Sequence, residues 1–295
     1  MRVALIVNPY ASGVDDLRLE RITRALERVG DVRAVRTARS GHASQLAREL
    51  GSSADALLVF SGDGGFNEVL NGLETDLPLG FVPGGAANVL PRALGLPRDP
   101  LAAAAHLADA IARGRTRRIS LGRVNGRRFA FAAGIGFDAE LIRRIEAKGR
   151  SASGRRPGNL YALWAATRIL AARRGRLGPA LEIVGLGRAA FVLVANTDPY
   201  TYLGPLPLHA CPAARFELGL DVAAPKSVRP HTLPRLLAYA LVGRGRPARV
   251  LTGHDLDRIE VLCDRPLPLQ ADGEDLGGVE RAVFETEREA VTVYI

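Results

Sequence analysis

The residues best suited to chemistry lie in two glycine-rich turns. The first turn is Ser61-Gly62-Asp63-Gly64-Gly65, and the second is Pro83-Gly84-Gly85-Ala86-Ala87-Asn88. An apolar run that feeds a glycine cluster at the start of a helix is typical of a phosphate cradle. Bare backbone N–H groups converge there, and the positive end of the helix favours an anion. The pattern predicts a phosphate site formed by Ser61, Gly62, Gly64, Gly65, Gly84, Gly85, Ala86 and Asn88.

Asp63 lies in the middle of the first turn. A carboxylate repels phosphate, so direct contact between the two is not its role. Asp63 makes sense if a divalent cation lies between it and the phosphates, or if it accepts the proton of an attacking hydroxyl. Both possibilities belong to phosphoryl transfer, and we expect Asp63 to be catalytic.

Alternation of strands and helices in the first hundred residues would position these turns. Strands are predicted over 2–8, 32–38 and 56–61, and a helix with an apolar face over 41–50. Such alternation favours a parallel sheet with right-handed crossovers. The carboxyl ends of parallel strands meet at one edge, where α/β proteins bind ligands. Both turns and Asn8, which ends the first strand, are therefore expected at that edge.

The pattern changes after a helix predicted over 100–113. Residues 117–124 and 127–133 flank Asn125-Gly126, which favours a β-hairpin with a type I′ turn. Apolar runs after residue 180 predict further antiparallel strands. We expect an α/β domain over 1–120 and a mostly antiparallel β domain over 121–295. A helix predicted over 158–174 carries an apolar stripe that would line either a core or a lipid cleft.

Charge and composition narrow the class of protein. Hydrophobic residues make up 47% of the 295 residues, which is ordinary for a soluble protein, and no apolar run reaches the roughly 18 residues of a membrane span. The two cysteines lack metal-ligand spacing and are expected to be reduced, so we expect a cytoplasmic protein.

Residues 139–176 hold ten basic and two acidic residues, which accounts for +8 of the net charge of +9. That block favours either an anionic membrane surface or a solvated helix face. No aromatic residues alternate with the arginines, so we expect no nucleic-acid partner. We expect peripheral association with a membrane and leave a homodimer open.

The ordered motifs resemble one family. The run SGDGGFNEVLNGL followed by LGFVPGGAANVLPRALGLP is similar to the diacylglycerol kinase catalytic family, which includes sphingosine and ceramide kinases and bacterial lipid kinases. NPYASG (8–13), Thr37 before GHASQLA (41–47), AGIGFDAE (133–140) and ADGE (271–274) follow in the family's order. The resemblance implies a parallel-sheet domain like that of NAD kinase and phosphofructokinase. It also implies ATP and Mg²⁺ as cofactors and a lipid hydroxyl as phosphoryl acceptor.

The resemblance also assigns residues. It implies that Asn8, Ser12 and Thr37 line the nucleotide pocket, and that Asp138 lies near the lipid head group, although Asp138 could also be a helix N-cap. It implies that Asp272 and Glu274 face the first glycine turn across an interdomain cleft, where they organise magnesium or take the proton. The segment FELGLD (216–221) partly resembles an acidic pattern for structural magnesium, which suggests a metal ligand at Glu217.

The chain departs from the family pattern at three positions. Gly65 and Ala86 stand where many members have threonine, and Val89 stands where many have aspartate. Two alternatives therefore stay open: a kinase of soluble substrates of the NAD-kinase type, and a non-catalytic pseudokinase that binds nucleotide or lipid. The acceptor lipid also stays open among diacylglycerol, a sphingoid base, phosphatidylglycerol and an isoprenoid alcohol, because generic apolar side chains recognise acyl chains.

Overall fold

The structure, a computed structural model, describes residues 1–149, 159–245 and 249–295. The chain forms two units, an N-terminal unit of residues 1–120 and 289–295 and a C-terminal unit of residues 121–288. The last seven residues, expected in the second domain, thus belong to the N-terminal unit. There Val293 pairs in parallel with Leu79.

The N-terminal unit follows the predicted alternation of strands and helices. Its elements are β1 (Arg2–Val7), α1 (Asp16–Leu26), β2 (Asp31–Arg36), α2 (His42–Gly51), β3 (Ala56–Ser61), α3 (Asp63–Gly72), β4 (Leu79–Pro83), α4 (Val89–Ala93), α5 (Pro100–Ala112) and the start of β5 (Thr116–Val124). The strands β4, β3, β1 and β2 lie side by side in that order, and all three pairings are parallel.

Local sequence explains where these helices begin and how deeply the central strand is buried. Asp15 accepts a hydrogen bond from the Arg18 amide and caps α1, while Asp99 caps α5 ahead of Pro100. Strand β3 is buried at all six positions, as its unbroken apolar run predicts for a central parallel strand. The first glycine turn therefore leaves the sheet from a fully buried strand.

The C-terminal unit is rich in antiparallel strands. Its further elements are β6 (Arg127–Phe129), β7 (Ala132–Ile135), α6 (Phe137–Ala147), α7 (Asn159–Ala172), β8 (Leu181–Ile183), β9 (Gly187–Ala189), β10 (Val192–Ala195), β11 (Thr201–Leu203), β12 (Leu206–Leu208), β13 (Leu220–Pro225), α8 (Leu233–Val242), β14 (Val250–Leu256), β15 (Arg258–Ala271) and β16 (Glu274–Tyr294). The path β14-β13-β10-β7-β15-β16 is antiparallel throughout. The rings of Phe129 and Phe284 meet edge to face within its core.

Several predicted strands differ from the observed ones. The runs 259–263 and 267–271 form one strand, β15, because a register shift between Leu262 and Leu267 absorbs the polar residues between them. The runs 282–285 and 291–295 likewise belong to one strand, β16. The run predicted from 216 begins only at Leu220, since the Leu218 amide turns back to the Arg215 carbonyl. The loop predicted over 198–212 contains the hairpin β11–β12.

Helix α7 does not bury its predicted apolar stripe. Its fully buried side chains are Ala165 and Ile169, whereas Leu160, Leu163 and Trp164 are exposed. Gly158, the first residue of the predicted helix, lies outside the described residues, as do Arg150, Arg155 and Arg156 of the basic block. None of the described helices is long and apolar enough to cross a membrane.

Candidate active site

Three loops of the N-terminal unit are tied together at the carboxyl edge of its parallel strands. They follow β1, β3 and β4. The Asn8 amide donates to the Phe60 carbonyl at 3.0 Å, the Gly84 amide to the Ser61 carbonyl at 2.6 Å, and the Gly13 amide to the Gly84 carbonyl at 2.8 Å. The NPYASG segment and the two glycine turns thus form one continuous backbone surface, which we call the glycine cradle (residues 8–13, 61–65 and 83–88).

Glycine is required where these loops touch. A Cβ on Gly85 would lie 2.6 Å from the Gly62 Cα, and one on Gly13 would lie 2.9 Å from the Gly84 carbonyl oxygen. Backbone atoms cannot move aside as a side chain can, so larger residues would push the loops apart. The glycines allow the approach that gathers backbone N–H groups in one place.

The side chain of Ser61 explains why position 65 holds glycine and not the threonine of many family members. This side chain is buried, and no described group is a hydrogen-bond partner of its Oγ. A Cβ on Gly65 would lie 2.1 Å from this oxygen and 2.8 Å from the Ser61 Cβ. The serine side chain therefore fills the space that a threonine at position 65 would need. An orphaned hydroxyl inside a cradle of amides fits a ligand oxygen, because buried polar groups are otherwise hydrogen-bonded.

Asp63 is the first residue of α3 and connects two parts of the cradle. Its half-buried carboxylate accepts a hydrogen bond from the Leu90 amide at 3.2 Å, so it bridges the first turn to α4 after the second turn. Asn88 closes the second turn onto Gly85, since its side chain both accepts from the Gly85 amide at 2.8 Å and donates to the Gly85 carbonyl at 2.7 Å. Asn88 thereby shapes the loop that we expect to bind phosphate.

The remaining predicted nucleotide residues differ in exposure. Asn8 accepts a hydrogen bond from the Tyr10 amide at 3.0 Å, which orders the first loop. Thr37 is buried at the end of β2, with its amide donating to the Val7 carbonyl. Ser12, Gly64 and Ala86 are exposed. The structure thus brings the residues of 8–13, 61–65 and 83–88 together, and their roles stay predictions.

In the C-terminal unit, Asp272 occupies the predicted Asp-Gly turn between β15 and β16. Its backbone is left-handed with φ 48°, and its carboxylate is buried. One oxygen accepts from the Ala130 amide at 2.6 Å, and the other from the Phe131 and Ala132 amides at 3.0 and 3.2 Å. These bonds interrupt the second hairpin strand predicted over 127–133, which becomes β6 and β7. Asp272 therefore has a structural function, whatever its part in catalysis.

Glu274, the other predicted carboxylate of this turn, forms an ion pair with Arg127. The pair is partly exposed, and contacts of this kind contribute little to stability. Glu274 is thus the more accessible carboxylate of the turn.

Asp138 lies in a polar cluster with two residues that the sequence did not single out, Tyr200 and Gln270. One oxygen of Asp138 accepts from the Tyr200 hydroxyl and from the Gln270 side-chain amide, each at 2.7 Å. Burial raises the pKa of Asp138 above its usual value and the pKa of Tyr200 well above its own. The N-cap of α6 is Gly136, so the alternative interpretation of Asp138 as an N-cap is wrong. The one sequence signal for Gln270 is its position beside ADGE.

The described residues around Glu217 contain no preformed metal site. Asp221, the second acidic residue of the predicted pattern, is buried and accepts from His254 Nδ1 at 2.8 Å and from the Asp255 amide at 3.0 Å. Glu217 itself is exposed. Among the described ranges, no group of three or more His, Cys, Asp or Glu side chains is arranged to hold a metal. The metal at Glu217 stays a prediction.

The glycine cradle lies in a part of the chain that matches a known protein family. Residues 2–124 match the model of the diacylglycerol kinase catalytic domain. This part of the chain is similar to that catalytic domain. The diacylglycerol kinase of Bacillus subtilis is 34% identical over 154 residues, half of each chain. That of Staphylococcus saprophyticus is 36% identical over 135 residues, 43% of each chain. The chain thus spans about half the length, or less, of these curated relatives.

Solved structures resemble nearly the whole chain in fold, including the residues that follow position 124. A diacylglycerol kinase from Bacillus anthracis has a TM-score of 0.74 with 22% identity, over 99% of this chain and 96% of its own. An NAD kinase from Archaeoglobus fulgidus, solved in complex with ATP, has a TM-score of 0.53 with 13% identity, over 100% and 94% of the two chains. At these identities the likeness concerns the fold alone, and it confirms the expected α/β and antiparallel architecture.

Proposed function

We propose that the protein is an ATP-dependent lipid kinase, which transfers the γ-phosphoryl group of ATP to a lipid hydroxyl of diacylglycerol or sphingoid type. The observation that carries the proposal is the glycine cradle, in which three loops converge on Asp63 at the carboxyl edge of a parallel sheet. Its place in the diacylglycerol kinase catalytic domain supports the assignment.

The cradle supplies what phosphoryl transfer requires. The reaction depends on positioning and on charge stabilisation more than on covalent chemistry. Backbone amides of both glycine turns, the positive end of α3 and the orphaned Ser61 hydroxyl would hold the phosphates. Magnesium bound with ATP would neutralise phosphate charge, and Asp63 is the cradle carboxylate placed to hold it or to take the hydroxyl proton.

Acidic residues of the C-terminal unit are proposed for the lipid side. Asp138 has a raised pKa, and a carboxylate of that kind is a stronger proton acceptor near neutral pH. Glu274 is the more accessible carboxylate of the Asp-Gly turn. Asp272 acts as a positioning residue in this proposal, because three backbone amides occupy its carboxylate.

The test is transfer from labelled ATP with Mg²⁺ to a panel of diacylglycerol, sphingosine, phosphatidylglycerol and an isoprenoid alcohol in detergent micelles. Asp63→Asn should abolish transfer while leaving the unfolding curve unchanged. Asp99→Asn is the matched control, since Asp99 also accepts one backbone amide in the N-terminal unit but lies outside the cradle. An Asp63→Asn variant with normal turnover would remove Asp63 from the mechanism.

A soluble-substrate kinase of the NAD-kinase type is the second candidate, since the glycine turn at 61–65 would serve a water-soluble hydroxyl equally well. Labelled ATP with NAD as the acceptor, in the absence of lipid and detergent, separates the two. Binding of ATP with no transfer to any acceptor would instead indicate a non-catalytic nucleotide-binding protein.

A further inference from the structure

Helix α8 is attached to the C-terminal unit by one face. Leu233 and Leu236 pack on the small core of Phe191 and its neighbours. One turn later, the Ala240 carbonyl accepts from the His209 amide at 2.7 Å, and the Tyr239 hydroxyl donates to the Ala210 carbonyl at 3.1 Å. The spacing of three and four residues between these anchors places them on one side of the helix.

Beside this anchored face, α8 presents large aliphatic side chains to solvent. Leu237 is 55% exposed, and Leu241 and Val242 are also exposed. Leu206 is exposed on β12, a strand against which α8 packs. Scattered exposed leucines are ordinary, but a helix normally turns its apolar stripe inward. This outer face of α8 therefore has the character of a surface that a partner covers.

The chain on either side of α8 is basic. Residues 222–254 include six basic and no acidic residues, and Lys226, Arg229, Arg235, Arg244 and Arg249 are exposed. A second copy of this chain would bring the same cations together across a symmetric contact, which is unfavourable. An anionic surface has the complementary sign.

Helix α7 also combines exposed apolar side chains with nearby basic residues. Leu160 is 85% exposed, Trp164 is exposed, and the Arg168 guanidinium lies over the Trp164 ring at 5.5 Å. The described part of 147–181 holds five basic and no acidic residues, namely Lys148, Arg168, Arg173, Arg174 and Arg176. The segments that follow α7 and precede α8 are joined, since Leu177 and Val228 exchange two backbone hydrogen bonds of 2.9 Å. Tryptophan and arginine suit the head-group level of a bilayer, where one end of a side chain is apolar and the other is wet.

We propose that the exposed faces of α7 and α8 dock the protein on an anionic lipid bilayer. Their leucines would enter the acyl boundary while the arginines contact head-group phosphates. The inference rests on the proposed lipid kinase function, because the acceptor would lie in that bilayer. Docking can nevertheless be measured without ATP or turnover.

The experiment uses the full chain and sedimented vesicles, made either of phosphatidylcholine alone or of phosphatidylcholine mixed equally with phosphatidylglycerol. The wild type should bind the mixed vesicles more tightly, and added salt should weaken that binding. Leu237→Ser with Leu241→Ser should lower the partition coefficient about tenfold for each leucine. Arg229→Ala with Arg235→Ala should lower it about fivefold for each arginine, on the mixed vesicles only. Leu17→Ser on α1 is the matched control, since Leu17 is 60% exposed in the N-terminal unit, and it should change nothing.

Trp164 provides a direct signal, because it is the only tryptophan of the chain. Its emission should shift to shorter wavelength when the mixed vesicles are added. Unchanged emission, or α8 variants that bind like the wild type, would overturn the proposal. So would a wild-type dimer that the leucine variant splits without loss of vesicle binding, because a second copy would then cover the face.

Transfer measured in detergent micelles separates this inference from the proposed function. The α8 variants should keep wild-type activity there, since micelles deliver the acceptor without bilayer docking. Vesicle binding that depends on α8, combined with a wild type that phosphorylates no lipid, would support docking and refute the kinase assignment. Lipid phosphorylation by the wild type, combined with vesicle binding that does not depend on α8, would refute docking and support the kinase assignment.

Discussion

Replacing Gly65 by alanine tests whether Ser61 and Gly65 share one space. The new Cβ would lie 2.1 Å from the Ser61 Oγ and 2.8 Å from its Cβ, whereas ordinary contacts begin near 3.4 Å. Rotation of the serine side chain relieves the first contact but not the second. Overpacking of this kind costs about 1–3 kcal/mol. A glycine replaced by alanine inside a helix gains about 0.5–1 kcal/mol, so we expect a net loss of about 1–2 kcal/mol.

Gly64 is the matched control, one residue earlier in the same helix. A Cβ there meets no described atom within 4 Å, so Gly64→Ala should gain about 0.5–1 kcal/mol. The two variants should therefore differ by about 2 kcal/mol in the free energy of unfolding. Urea denaturation measures the difference, and hydrogen exchange of the α3 amides locates it.

Ser61→Gly combined with Gly65→Ala completes the cycle. Removal of the serine side chain opens the space, so the double variant should be about 2 kcal/mol more stable than the sum of the two single changes predicts. Additive losses, or a Gly65→Ala variant as stable as Gly64→Ala, would refute the shared space. The glycine at 65 would then need another explanation.

Three further outcomes follow from the contacts. Gly85→Ala should lower the free energy of unfolding by about 2 kcal/mol or more, because its Cβ would lie 2.6 Å from the Gly62 Cα. It should also weaken ATP binding in calorimetry, and an unchanged affinity would contradict a role of the cradle in binding ATP. Asp272→Asn should cost about 2–3 kcal/mol in urea unfolding, since its NH₂ group would face the Ala130 amide, whereas a purely catalytic Asp272 would leave stability unchanged. The raised pKa of Asp138 gives stability that is complete below its usual value of 3.8 and is lost as the pH rises through the folded value. The free energy of unfolding of the wild type minus that of Asp138→Asn should thus fall across that window, and a flat difference would show that Asp138 is not perturbed.

The glycine cradle was largely predictable from sequence. Its residues follow buried strands directly, and the topology of a parallel sheet brings the ends of such strands to one edge. The Asp272-Gly273 turn and the Asn125-Gly126 hairpin were predictable for a similar reason, since local backbone preferences fix them.

The partners of polar side chains were not predictable. Asp138 bonds to Tyr200 and Gln270, which lie 62 and 132 residues away along the chain. Asp272 bonds to amides some 140 residues earlier, and a backbone amide has no signature in the sequence. The exposure of the α7 leucines was also not predictable, because periodicity shows that a face is apolar but not what covers it.

The amide of Gln270 has a fixed orientation with a chemical consequence. Its nitrogen points at Asp138 and Tyr200, while its oxygen accepts from the Gly273 amide at 2.9 Å, so the group cannot flip without opposing like atoms at both ends. A glutamate at this position would set two acids against each other, and only one of them could hold a negative charge. The neutral Gln270 side chain therefore leaves Asp138 as the one carboxyl group of this cluster.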